Sequence, residues 1–128
     1  MGNTPSQQGT ILVVDDEPAI RSLISHALAP QGYTILLASN GREALHLCTS
    51  HQGPIQLLLT DLLMPGMNGL ELALKVQGVR PQTRVLYLSE SSVVGGAFAD
   101  EPHLAFLPKP FTLGALLNTV RKLLHASG

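Results

Sequence analysis

The stretch Ile11-Leu12-Val13-Val14-Asp15-Asp16-Glu17 decides how the rest of the chain is read. Four apolar residues without polar alternation describe a strand buried on both faces, as the strands of parallel sheets are. Three acids follow at once, and Pro18 then opens a segment with helical spacing. Short apolar runs recur at Ile35–Ala38, Ile55–Thr60, Arg84–Ser89 and Leu104–Leu107.

The segments between these runs carry the helical period. Pro18–Ala29 places Ile20, Leu23, Ile24, Ala27 and Leu28 on one stripe; Pro18 suits a first turn and Gly32 ends the helix. Gly41–Thr49 has Ala44, Leu45, Leu47 and Cys48 at inward spacings. Asn68 can cap Gly69–Val76, and Thr112 can cap Leu113–His125 with its stripe from Leu113 to Leu124. Ser91–Pro102, with Gly95, Gly96 and Pro102, stands evenly between a short helix and an irregular loop. Five strands alternating with helices imply right-handed crossovers, hence an α/β domain with a five-stranded parallel sheet covered on both faces.

Composition agrees with one globular domain. The chain has 128 residues, 45% of them apolar and 13% charged, enough for a real core. Only 4% are aromatic and Trp is absent, so that core is aliphatic. Eight Lys and Arg stand against nine Asp and Glu without a basic run, which argues against nucleic-acid binding by this domain. No apolar stretch approaches the ~20 residues of a membrane helix. Residues 1–9 are polar and lack the apolar stretch of a signal peptide, so they read as a linker ahead of a domain at 10–128. Cys48 is the one cysteine, read as a small buried hydrophobe in a reducing, cytoplasmic setting. His26, His46, His51, His103 and His125 show no metal-ligand spacing.

In a doubly wound sheet, sites form outside the carboxyl ends of the strands, where the strand order switches. The runs end there in Asp15-Asp16-Glu17, Ser39-Asn40, Asp61, Ser89 and Lys109. Taken singly, each has an ordinary structural role: an Asp after a strand caps a turn, Glu17 favours a helix dipole, Ser89 makes a turn, Lys109 is a solvated charge. Their joint occurrence at successive strand ends points to a site. Carboxylates brought within a few Å repel unless a cation intervenes, and Mg²⁺ suits one or two carboxylates plus waters and a phosphate oxygen. Asp16 and Asp61 are the candidate direct ligands, Asp15 acts through water, and the Leu63 carbonyl supplies another oxygen. Lys109, between Pro108 and Pro110, is a restrained point charge for a phosphate, and a cis Lys109–Pro110 bond would turn the chain inward.

These residues together resemble the receiver domain of bacterial-type response regulators. The resemblance lies in Leu12–Glu17, in Leu58–Gly69 with its Asp61-Leu62-Leu63-Met64-Pro65-Gly66 core, in Val85–Ser89 and in Phe106–Phe111, and it spans roughly Thr10 to His125. It implies a flavodoxin-like sheet of strand order 2-1-3-4-5. It implies that Asp61 accepts a phosphoryl group from the phosphohistidine of a histidine kinase or histidine phosphotransfer protein, in a reaction the domain itself catalyses. Mg²⁺ would be held by Asp16, Asp61 and the Leu63 carbonyl, Ser89 would bond a phosphate oxygen, and Lys109 would pair with the phosphate. Phe106 would be the aromatic whose rotamer follows phosphorylation. Leu86–Ser89 and Ala105–Thr112 further resemble receivers at the C-terminus of hybrid sensor histidine kinases, and a chain ending at Gly128 without an output domain agrees.

Two residues depart from the family pattern. Glu90 follows Ser89 where small residues are common, and Leu63 is apolar where polarity affects hydrolysis. A receiver that is a constitutive interaction module without phosphorylation is therefore an alternative. A flavin carrier on the same topology fits less well, because Asp15-Asp16-Glu17 would repel an FMN phosphate. An aspartyl-phosphate hydrolase would need a second acid two residues after Asp61, where Leu63 stands.

Overall fold

Each apolar run becomes a strand because its alternate residues find cover on opposite faces. A computed structural model describes residues 8–90 and 105–125. In chain order the elements are β1 (Gly9–Val14), α1 (Pro18–Leu28), a 3-10 turn (Ala29–Gln31), β2 (Tyr33–Ala38), α2 (Gly41–Ser50), β3 (Leu57–Asp61), α3 (Gly69–Val79), β4 (Arg84–Glu90), β5 (Ala105–Lys109) and α4 (Leu113–His125). The strands pair in parallel in the order β2-β1-β3-β4-β5, the flavodoxin-like arrangement expected.

Alternation along the strands divides the core in two. Ile11 and Val13 of β1 pack with Leu57, Leu59, Leu86 and Leu88 beneath Ile24 and Leu28 of α1 and Leu116 and Val120 of α4. Leu12, Val14 and Leu58 pack on the other face with Ala44 and Cys48 of α2 and Leu72 and Val76 of α3. Most of these side chains are wholly buried, and each large aliphatic one contributes roughly 1.5–3 kcal/mol. Cys48 is part of this core, and burial pushes its thiol up.

The helix starts are set by local chemistry. Asn68 accepts from the Glu71 amide at 2.9 Å while Glu71 accepts from the Asn68 amide at 3.1 Å, a reciprocal cap on α3. Thr112 accepts from the Ala115 amide at 3.0 Å at the start of α4, as its sequence predicts. Asn40 caps α2 by accepting from the Glu43 amide at 2.8 Å.

Several boundaries move from their sequence expectation. β1 starts at Gly9, inside the stretch read as a linker. α1 stops at Leu28 because Pro30 imposes the 3-10 turn, which Gly32 closes at φ 100°. α3 continues past Val76 to Val79, and Arg80 ends it. The Arg80 guanidinium then bonds the carbonyls of Cys48 at 3.0 Å, His51 at 2.8 Å and Gly53 at 2.7 Å, tying the end of α3 to the end of α2. Asp61 and Lys109 are themselves the last strand residues, so backbone pairing fixes their Cα positions. Ser91–Pro102 and Leu104 lie outside the described residues.

Candidate functional site

The switch in strand order falls between β1 and β3, and the carboxyl ends of these strands carry the acids. Asp15 follows β1, with its amide held by the Ala38 carbonyl at 3.2 Å. It is fully buried, and its Oδ1 accepts from the Glu17 amide at 2.8 Å. Asp16 follows, exposed, and Asp61 ends β3 nearly buried. One oxygen from each of Asp15, Asp16 and Asp61 lies within 4.8 Å of the others.

Lys109 reaches this cluster from β5, two strands from β3. Its Nζ is 3.2 Å from Asp15 Oδ2, 3.4 Å from Asp61 Oδ2 and 3.9 Å from Glu17 Oε1. The Lys109–Pro110 bond is cis, as the sequence suggested. Burial works against the ammonium, but Asp15 and Asp61 outweigh it and raise the Lys109 pKa above the usual lysine range.

Burial also raises the Asp61 carboxyl above the ordinary carboxylate range. Lys109 opposes that shift, Asp15 adds to it, and a hydrogen bond from the Leu63 backbone opposes it weakly. Asp61 is thus a carboxylate whose charge is incompletely met. Three acids face one ammonium, and the donor set is all hard oxygen, which fits Mg²⁺.

The remaining predicted residues surround this centre. Ser89 is buried near the end of β4, opposite Pro108 of β5, and β4 runs beside β3 with Leu88 opposite Asp61. By alternation Ser89 shares the face of Tyr87, whose ring centroid is 5.5 Å from that of Phe106. Leu63 sits just past Asp61 and is 58% exposed. Gly69 starts α3 so close to β3 that a Cβ there would lie 2.5 Å from the Asp61 carbonyl oxygen. The loop between is closed by the Gly69 amide donating to the Leu62 carbonyl at 2.8 Å.

Glu17 stands at the N-cap of α1, ahead of its first turn, and its side chain makes no capping bond. Asp15 takes the Glu17 amide instead, and the Glu17 carboxylate lies toward Lys109. Sequence reasoning also missed Arg21, whose Nη1 donates to the Asp15 carbonyl at 2.7 Å. Its place one helical turn past Glu17 was the available signal. The side chain of Glu90 lies outside the described residues.

The geometry has clear counterparts. The family model of the response regulator receiver domain matches residues 11–121. The response regulator MprA of Mycobacterium tuberculosis is 40% identical over 121 residues, covering 90% of this chain and 50% of that protein. The sensor kinase CckA of Brucella abortus is 34% identical over 123 residues, covering 94% of this chain and 13% of that protein. The crystal structure of the receiver domain from the hybrid histidine kinase CckA matches with a TM-score of 0.77 at 34% identity, over 91% of this chain and 100% of that one. The chain therefore spans half or less of these curated relatives.

Proposed function

The chain belongs to the response regulator receiver domain family, and from that membership we propose that it is the phospho-accepting module of a two-component phosphorelay, with Asp61 as acceptor. The observation that carries this reading is Lys109, held 3.4 Å from Asp61 and 3.2 Å from Asp15. An ammonium so placed meets the charge a phosphoryl group brings, beside a carboxyl whose charged form burial already disfavours.

The donor is the phosphohistidine of a histidine kinase or a histidine phosphotransfer protein. An Asp61 carboxylate oxygen attacks phosphorus, an O–P bond forms as the N–P bond breaks, and the imidazole leaves with the electron pair. Asp16, Asp61 and the Leu63 carbonyl would hold Mg²⁺, with Asp15 acting through water. Bound there, the ion would neutralise the phosphoryl oxygens and align them with Asp61. Ser89 then bonds a phosphate oxygen, and Phe106 turns toward the space that Ser89 leaves, which changes the partner surface. The shared face of Ser89, Tyr87 and Phe106 supports this coupling.

This module touches neither nucleic acid nor membrane in this reading. Its charge is −1 overall, and no described helix is long and apolar enough to cross a bilayer. A phosphohistidine donor and the reduced Cys48 favour a cytoplasmic setting.

Acetyl phosphate and Mg²⁺, followed by intact-mass spectrometry, provide the test. The expected result is a gain of one phosphoryl group that Asp61→Asn abolishes. No gain, or a gain that persists in Asp61→Asn, rejects the assignment.

A further inference from the structure

Asp16 is the acid of the cluster that the protein itself does not hold. Among the described residues its carboxylate makes no hydrogen bond or ion pair, whereas Asp15 bonds the Glu17 amide and Lys109, and Asp61 meets Lys109. The aim of the Asp16 side chain is therefore set by the two peptides that flank it. The peptide after it is fixed by Asp15 Oδ1, which accepts from the Glu17 amide at 2.8 Å. The peptide before it is fixed at its carbonyl by Arg21, whose Nη1 donates to the Asp15 oxygen at 2.7 Å.

We propose that Arg21 is a positioning residue, holding the Asp15–Asp16 peptide so that Asp16 presents its carboxylate to a divalent cation. The inference rests on the metal role given to Asp16 above. Arg21 is partly buried on α1, where the guanidinium is restrained rather than sweeping through solvent.

Charge and positioning predict opposite signs. A guanidinium near the cluster repels a cation, so on charge alone its removal tightens Mg²⁺ binding. As a positioning residue, its removal frees the peptide and weakens binding, roughly 10-fold or more by analogy with other groups that orient metal ligands.

The decisive experiment is calorimetric titration of MgCl₂ into the full chain and into Arg21→Met and Arg21→Lys. Melting temperatures in EDTA report the fold. We expect Arg21→Met to bind Mg²⁺ roughly 10-fold more weakly or worse, to melt within a few degrees of the parent, and to recover acetyl-phosphate labelling at saturating Mg²⁺. Arg21→Lys, which keeps a donor and the charge, should recover most of the affinity. Unchanged or tighter binding by Arg21→Met overturns the inference, and so does a lowered melting temperature without loss of affinity. Should Arg21→Met fail to fold, Arg21→Gln is read by the same criteria. If the parent chain itself binds no Mg²⁺, the metal reading of the site fails instead, which is a separate result.

Discussion

Two cationic side chains at opposite ends of the sheet are treated in opposite ways. Arg80, beside the amino ends of the strands, gives its guanidinium to three backbone carbonyls that terminate α2 and the loop after it. Lys109, at the carboxyl ends, is a single positive charge that faces three carboxylates. At the first end polar groups close the structure. At the second, charge is left over, and a site with surplus negative charge has affinity for whatever cation or charged group completes it. The contrast separates residues whose loss should weaken the fold from residues whose loss should weaken the chemistry proposed for Asp61.

The largest effect should come from Lys109→Met. Loss of the ammonium removes the fixed charge facing the incoming phosphoryl group, and the labelling rate of Asp61 should fall by roughly 10²-fold or more. Time-resolved mass spectrometry with acetyl phosphate measures it. Mg²⁺ affinity should not fall, because a competing cation has been removed, and a parallel loss of Mg²⁺ binding would mean that Lys109 also holds the metal site together.

Arg80→Ala tests the other end. Three charge-assisted hydrogen bonds disappear and three carbonyls lose their partner, so urea denaturation should show a loss of about 2–3 kcal/mol. Mg²⁺ binding and Asp61 labelling of the folded fraction should persist. If Arg80→Ala instead abolishes labelling at full stability, the two ends are not independent.

The smallest effect is on stability as a function of pH. Asp61 has a raised folded-state pKa, so its contribution is fully present below the ordinary carboxylate pKa and is lost as pH rises through the folded value. The ionised group therefore costs stability at neutral pH in the absence of Mg²⁺. Asp61→Asn should melt a few degrees higher than the parent at pH 7 in EDTA, with the gain vanishing below about pH 4. Lys109 has a raised pKa as well, so its contribution persists up to its ordinary value, about 10.5, and is lost only above it.

Much of this was legible in the residues, for physical reasons. Strands buried on both faces have to be continuous apolar runs, so Ile11–Val14 and Ile55–Thr60 could be recognised, and their polar ends located the acids. Asn68 and Thr112 announced helix starts because a cap needs a short oxygen-bearing side chain. The reading was weaker where a long side chain finds its partner through space. Arg21 and Arg80 bond backbone carbonyls, which exist at every residue, so no residue type advertises the pairing. Glu17 stands at the N-cap of α1 without capping it, because Asp15 supplies the oxygen ahead of the helix. The end of α3 was drawn short at Val76, since Gly78 and Val79 are poor helix formers and Arg80 ends the helix through its contacts with α2.

The bond between the Gly69 amide and the Leu62 carbonyl has one more consequence. It makes Leu63–Asn68 a closed loop, anchored at both ends next to Asp61, with Gly69 pressed against the Asp61 carbonyl. Side chains at the exposed positions Leu63 and Pro65 can then be exchanged without moving the strand that carries Asp61, while Gly66, at φ 81°, has to stay glycine. For protein engineering this is a cassette beside the proposed acceptor, where the lifetime of a phosphoryl group on Asp61 could be reset by substitution while the clockwork behind it stays still.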